Sequence, residues 1–100
     1  MRCYSATTGL PGYLPSYGAV FRTLQEARDW AKQEKEDFLD YAYQQLEDGR
    51  PTVRVTGDIR RDWFYNVERR NQYGWSVWQR IRIDVVELTQ EEWEQEQEGW

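Results

Sequence analysis

The 100-residue sequence contains no histidine and a single cysteine, Cys3. Histidine is the commonest general base and metal ligand in proteins, and zinc sites are built from histidines and several thiolates. Their absence argues against a zinc site and the usual catalytic triad, and no other motif supplies a base, a nucleophile or a cofactor site. We therefore expect a protein that is not an enzyme and holds no metal or cofactor. One cysteine cannot form an internal disulfide, so we expect Cys3 to be a buried thiol in a reducing compartment.

Long apolar runs are also missing. No segment approaches the roughly 20 apolar residues that span a bilayer, and residues 1–5 do not open a signal peptide. We therefore expect a cytoplasmic protein without membrane contact. Aromatic residues, in contrast, make up 16% of the chain. They bury large apolar surfaces from few positions, so we expect residues 1–100 to form a single folded domain.

Charge is unevenly distributed along the chain. Residues 26–49 carry eight acidic and three basic side chains, residues 50–86 carry eight arginines and four acids, and residues 87–100 carry six glutamates and no base. The local field controls which charged molecules approach a surface, so this pattern is more informative than the net charge of −5. It predicts a binding protein with separate acidic and basic surfaces.

Residues 24–48 have the pattern of a long amphipathic helix. Thr23 and Glu26 match a capping box at its start, while Gly49 and Pro51 are residues that typically follow a helix end. Because Lys35 falls within the apolar face, either its aliphatic stem crosses the edge of the core or the helix bends beside it. The apolar residues that recur at helical spacing are Leu24, Ala27, Ala31, Phe38, Ala42 and Leu46.

The segments after this helix have the pattern of strands. Residues 75–85 alternate apolar and polar side chains, and so do residues 63–68. The turn at residues 71–74 predicts a hairpin in which Val67 lies opposite Val77 and Trp63 lies opposite Ile81. The apolar face of the second strand would consist of Trp75, Val77, Ile81, Ile83 and Val85.

Three shorter segments and a C-terminal helix complete the predicted fold. Residues 52–56 alternate like a strand, residues 2–7 are a weaker strand candidate, and residues 19–22 form an extended lead into the long helix. Thr89 and Glu92 match a second capping box, so the acidic residues 89–100 are expected to form a short helix or tail. The order β-α-β-β-β-α predicts an α+β domain, in which the long helix packs on one face of an antiparallel sheet of three to five strands.

The acidic helix carries the leading functional hypothesis. Its carboxylates lie largely off the apolar face, where they either form a solvated surface or bind a cationic partner whose groove normally holds phosphates. Nearby aromatic side chains would anchor such a partner, and its affinity would weaken as salt rises. The candidate residues are Glu26, Asp29, Trp30, Glu36, Asp37, Asp40, Tyr41 and Trp93.

A loop between the first strand candidate and the helix adds further candidates. Residues 9–18 contain two prolines and three glycines, which predict a shaped connection rather than a strand. Its apolar side chains either cover one end of the core or form an exposed binding patch. They are Leu10, Tyr13, Leu14 and Tyr17.

The arginine-rich sheet supports an alternative function. Arg54, Trp78, Arg80 and Arg82 would share the face of the sheet away from the helix, where arginines and aromatic rings can bind single-stranded nucleic acid. Otherwise these arginines pair with nearby acids or with the glutamate-rich tail. The acidic chain is less consistent with a third reading, a ribonuclease or magnesium site, for which the candidates would be Arg60, Arg61, Tyr65, Arg82, Asp58 and Asp62.

Residues 11–15 (PGYLP), the strand-to-helix entry at residues 21–27 (FRTLQEA) and the acidic amphipathic helix that follows resemble small acidic phage-encoded accessory proteins of the anti-CRISPR or anti-defence inhibitor type. The resemblance covers roughly the first half of the chain and carries over no site residue. It implies a non-enzymatic inhibitor that acts in the host-cell cytoplasm and blocks a host protein, such as a nucleic-acid-binding CRISPR effector complex. An exposed sheet edge beside many aromatic residues is also compatible with a homodimer.

Overall fold

A computed structural model describes residues 1–10, 12, 14–15, 17–44 and 52–98. Tyr13, Leu46 and the helix end expected at Gly49 and Pro51 lie outside the described residues. Neither of the two helices that the structure describes combines the length and the apolar character needed to cross a membrane.

The structure has the α+β architecture that the sequence predicts. All five strands pair antiparallel in one sheet, in the order β2-β1-β5-β4-β3, and a long helix packs on one face. The order along the chain is β1 (Arg2–Gly9), β2 (Tyr17–Phe21), α1 (Leu24–Gln44), β3 (Val53–Thr56), β4 (Phe64–Asn71), β5 (Gly74–Glu87) and α2 (Gln90–Glu98).

The strand β2 differs from its expected role. Residues 17–21 do not merely lead into α1, because they pair with β1 along their whole length, from Tyr17 opposite Thr8 to Phe21 opposite Tyr4. The loop expected over residues 9–18 is therefore shorter, and Tyr17 belongs to a strand. Since β1 pairs on its other side with β5, β2 lies at one edge of the sheet.

The helix α1 begins and packs as its sequence predicts. The Glu26 amide donates to the Thr23 hydroxyl oxygen at 3.2 Å, and that hydroxyl donates to the Glu26 carboxylate at 2.8 Å. Lys35 crosses the edge of the core and places its ammonium group 4.7 Å from the centre of the Tyr65 ring. The predicted apolar residues that lie in or against the buried cluster are Leu24, Ala27, Ala31 and Phe38, while Ala42 is also buried.

The hairpin of β4 and β5 has a different register from the predicted one. Its turn contains two residues, with Asn71 opposite Gly74, whose φ of 114° suits glycine. A β-bulge at Val67 and Glu68 then shifts the pairing, so that Val67 lies opposite Gln79 and not Val77. The pairing of Trp63 with Ile81 is likewise wrong, because the Ile83 amide donates to the Trp63 carbonyl at 2.9 Å.

The bulge also reverses the faces of the residues that precede it on β5. Trp78 is the extra residue, and its ring packs against α1, 5.5 Å from Phe38 and 6.0 Å from Tyr41 between ring centres. Trp75 lies on the other face, where the Arg54 guanidinium is 4.2 Å from its ring centre. The predicted single apolar face from Trp75 to Val85 is therefore wrong, and Trp78 does not share the outer face with Arg80 and Arg82.

The two tryptophans on either side of the bulge are expected to differ in their effect on stability. Trp78→Ala removes a ring packed against α1, and should lower the free energy of unfolding by about 2–3 kcal/mol. Trp75→Ala removes a ring that is 37% exposed, and should cost about 1 kcal/mol or less, mainly its contact with Arg54. Urea denaturation followed by circular dichroism measures both. Equal losses, or a larger loss for Trp75→Ala, would contradict this placement.

Candidate protein-interaction surface

One side of α1 presents a row of carboxylates to solvent. A helix turns by about 100° per residue, so the acids lie on the side opposite Ala27 and Ala31, which are buried against the sheet. The row extends over roughly 21 Å at 1.5 Å per residue. We call it the acidic face; its members, all exposed, are Glu26, Asp29, Glu36, Asp37 and Asp40.

Neutral partners hold several of these carboxylates in place. The Gln25 side-chain amide donates to Asp29 at 2.8 Å, and that of Gln33 donates to Asp37 at 2.9 Å. Neither donor carries charge, so these two hydrogen bonds do not neutralise Asp29 and Asp37. The negative field of the face also reaches its neighbour Glu34, whose pKa is raised by partial burial and by the charge of Asp37.

The ion pairs among the described residues leave the acidic face unpaired. They join Glu87 to the N-terminal amine and Arg2, and they connect Arg54 with Glu68, Arg61 with Asp62 and Arg82 with Asp84. None of them contains a carboxylate of the acidic face. The ion pairs also contain none of the α2 carboxylates Glu91, Glu92, Glu94 and Glu96. In the part of the chain that the structure describes, α2 therefore forms no ion pair with the arginines of the sheet.

Exposed aromatic rings flank the acidic face near both ends. Tyr41 follows Asp37 by one helical turn, is 52% exposed and stacks on Trp78. At the other end, Trp30 packs against the core and is only partly exposed. Tyr17 lies 5.7 Å from Trp30 between ring centres and is 50% exposed, so it provides more accessible aromatic surface here than the predicted anchor Trp30.

Three predicted site residues meet in a groove along the edge strand. All of β2 lines this groove, together with Glu26 of α1 and with Trp93, Glu96 and Gln97 of α2. Its volume is about 390 Å³. We call it the edge groove. It brings Tyr17, Glu26 and Trp93 together, although these residues come from three separate parts of the sequence.

The position of the edge groove explains why sequence reasoning missed some of its residues. Glu96 was only one of six glutamates in the C-terminal segment, and nothing local distinguishes it from Glu94. The available signal was the composition of residues 17–21, which form an apolar strand without a charge. That composition is unusual for a strand at the edge of a sheet.

The predicted loop patch is only partly described. Leu14 is 91% exposed and Leu10 is 46% exposed, so neither closes the core. Tyr17 belongs to β2 and to the edge groove. The loop was expected either to cover one end of the core or to expose its apolar side chains. Both described leucines are exposed.

The outer face of the sheet is less basic than its arginines suggest. Arg54 pairs with Glu68 at 3.3 Å, and Arg82 pairs with Asp84 at 2.6 Å. Arg80 donates from Nε to the Asn66 side chain at 2.8 Å and lies 5.5 Å from the centre of the Phe64 ring. Trp78 is turned toward α1 and does not contribute to this face, where Trp75 lies beside Arg54 instead.

The residues considered for catalysis form a local turn. The Asp58 amide donates to the Asp62 carboxylate at 3.0 Å, and the Arg61 side chain pairs with the same carboxylate, which lowers the pKa of Asp62. Tyr65 lies under Lys35, where burial is the main cause of its raised pKa. Among the residues that the structure describes, no three acidic or cysteine side chains are placed to hold a metal ion.

Comparisons with protein-family models, with curated proteins and with solved structures find no match to this chain. The site is therefore interpreted from its own geometry and charge.

The buried carboxylate of the sheet face provides a pH-dependent test of this geometry. Glu68 is only 9% exposed and accepts hydrogen bonds from the Thr56 hydroxyl and Arg54, which lower its pKa below the usual value near 4.5. A carboxylate with a lowered pKa stabilises the fold above its usual pKa, and this stability is lost as the pH falls through the lowered value. Glu68→Gln should therefore reduce the free energy of unfolding by about 1–2 kcal/mol at neutral pH.

The difference between the original chain and Glu68→Gln should stay constant at neutral pH and shrink below about pH 4.5. Urea denaturation over a pH series measures it. Glu94→Gln is the matched control, because Glu94 is exposed and should change stability little at any pH. A difference for Glu68→Gln that does not change with pH would contradict the role of the ionised carboxylate.

Proposed function

We propose that this chain is a non-enzymatic protein-binding inhibitor, which presents its acidic face to a cationic partner that handles nucleic acid. One observation carries the proposal. The acidic face is held on the solvent side of a packed helix, and none of its carboxylates forms an ion pair with another described residue. A row of unpaired carboxylates on a rigid element resembles the charge pattern that a phosphate-binding groove is built to receive.

The aromatic rings give this surface the second property of a protein interface. Charged residues alone steer a partner and speed its approach, but affinity usually depends on a few large side chains that become buried. Tyr41 and Tyr17 are each about half exposed, and each contacts the ring of a tryptophan that packs against the protein. Rings held in this way lose little conformational freedom on binding, so they are suited to anchor a partner at the two ends of the acidic face.

Inhibition follows from the same geometry. A partner whose phosphate-binding groove is occupied by the acidic face cannot bind nucleic acid there at the same time. The proposed action is therefore stoichiometric competition, and it requires no catalytic group. The anti-CRISPR or anti-defence class, with its partner in the host cytoplasm, remains part of this proposal, since the chain resembles such proteins in type.

The acidic face is tested with two variants of equal net charge. Asp29→Asn, Glu36→Gln and Asp40→Asn together neutralise three carboxylates of the face, while Glu87→Gln, Glu91→Gln and Glu94→Gln together neutralise three exposed carboxylates elsewhere. The partner is captured from host lysate on the immobilised chain, identified by mass spectrometry and purified. Its dissociation constant is then measured for the original chain and both variants at low and high salt.

We expect the first variant to weaken binding by about 10-fold or more, since each exposed charge pair contributes up to about 1 kcal/mol. The second variant should stay within about threefold, and binding of the original chain should weaken as salt rises. The partner should also lose nucleic acid as the chain is added in equimolar amounts. Equal losses for both variants, salt-independent binding, or a ternary complex with nucleic acid would contradict the proposal. Direct binding of nucleic acid by the chain itself would favour the sheet-face alternative.

A further inference from the structure

The edge strand β2 lacks the charged side chains, prolines and bulges that usually protect a sheet edge. Edge strands avoid pairing with other chains through charged side chains, prolines, bulges or short length. The sequence of β2 is YGAVF, without a charge or a proline, and its pairing with β1 is regular. At the opposite edge, β3 is one residue shorter and carries Arg54. No strand among the described residues lies on the outer side of β2.

The two helices turn this edge into the floor of a groove. On the side of α1, Glu26 lines the edge groove beside β2. On the other side, Trp93 and Glu96 of α2 line it, and Glu96 also borders Ser5 and Thr7, whose side chains lie on the face away from α1. A chain segment added in the plane of the sheet would therefore meet one carboxylate on each of its two faces.

The charge of the groove indicates which segment fits. Its charged lining residues are Arg22, Glu26 and Glu96, and Arg22 lies 5.8 Å from the centre of the Trp93 ring. The sequence of α2 contains no basic residue. In a strand, successive side chains point to opposite faces. Two basic residues that point to opposite faces of an added strand, as adjacent residues do, would therefore be directed toward the sides of the groove that carry Glu26 and Glu96.

The same charges disfavour a second copy of this chain as the occupant. Antiparallel pairing of two β2 strands about a twofold axis would place the two α2 helices on the same face of a joined sheet. Each α2 carries only acidic charges, so the pairing would bring like charges together at the interface. A basic extended segment has the complementary charge, and its binding does not bring two acidic helices together.

Resting on the proposed function, we propose that the edge groove binds an extended basic segment of the cationic partner as a sixth strand of the sheet. Main-chain hydrogen bonds to β2 would provide affinity, and Glu26 and Glu96 would select basic side chains. The acidic face of α1 would then steer and cover the partner while β2 holds one segment of it. A five-residue edge can pair with about 17 Å of extended chain at 3.4 Å per residue.

The test uses a blocked peptide of sequence TVKRVT as the probe, with TVEEVT as the charge-reversed control. Titration into the ¹⁵N-labelled protein should give saturable amide shifts in β2 with a dissociation constant on the order of 0.1–1 mM, while TVEEVT should not bind. Amide exchange should slow in β2 and stay unchanged in β3. Methylating alternate backbone nitrogens on one edge of the peptide should abolish binding, whereas methylating the other edge should not.

A matched pair of substitutions locates the charge contact. Glu96→Lys should weaken TVKRVT binding by about 10-fold, and Glu94→Lys, on the same helix but outside the groove lining, should change it by about twofold or less. Equal weakening by both substitutions, or equal binding of both methylated peptides, would overturn strand addition. A dimer in ultracentrifugation that hides β2 from the peptide would also overturn it, in favour of a second copy as the occupant.

The outcomes separate this inference from the proposed function. If the partner depends on the acidic face but neither TVKRVT nor the partner protects β2, strand addition is wrong and the proposed function stands. If TVKRVT adds to β2 but the partner binds the variant with the neutralised acidic face as tightly as the original chain, the proposed function is wrong. The groove then remains a site for basic segments.

Discussion

The close packing of α1 on the centre of the sheet, through alanine side chains, is the contact on which the functional surfaces depend. Ala6, Ala27 and Ala31 are fully buried in one cluster with Ile81 and Ile83. Small side chains let the helix approach the strands closely, and burial of this stripe sets the rotation of α1 about its own axis. Because the carboxylates lie on the opposite side of the helix, the contact that excludes water from the core also holds the acidic face in water.

The β-bulge in the hairpin has a comparable effect on the other face of the sheet. It moves Trp78 into the contact with Phe38 and Tyr41, and it moves Trp75 onto the outer face beside Arg54. The outer face keeps its arginines but pairs two of them with carboxylates. Carboxylates outside the ion pairs of the described residues therefore lie on both helices, although the middle of the sequence is rich in arginine.

The acidic face and the edge groove meet at Glu26, which belongs to both. A long-range field and a local pairing site contribute in different ways to binding. In the proposed complex, the field would speed the encounter and be weakened by salt, whereas main-chain hydrogen bonds along β2 would form only after contact and depend little on ionic strength. Because the two surfaces share Glu26, one partner could contact both.

Local patterns in the sequence determined where α1 and α2 begin, the antiparallel hairpin and the acidic face, because each follows from residues two to four positions apart. Only the tertiary structure decided which face Trp78 occupies, which strand lies at the edge, and that Tyr17, Glu26 and Trp93 line one groove. A single bulged residue moves the side chains that precede it on the same strand to the opposite face of the sheet. Nothing local in the sequence marks the position of the bulge. Strand order likewise depends on pairings such as Arg2 with Glu87, which join the two ends of the chain. The periodicity of a segment contains no information about which distant segment will cover it.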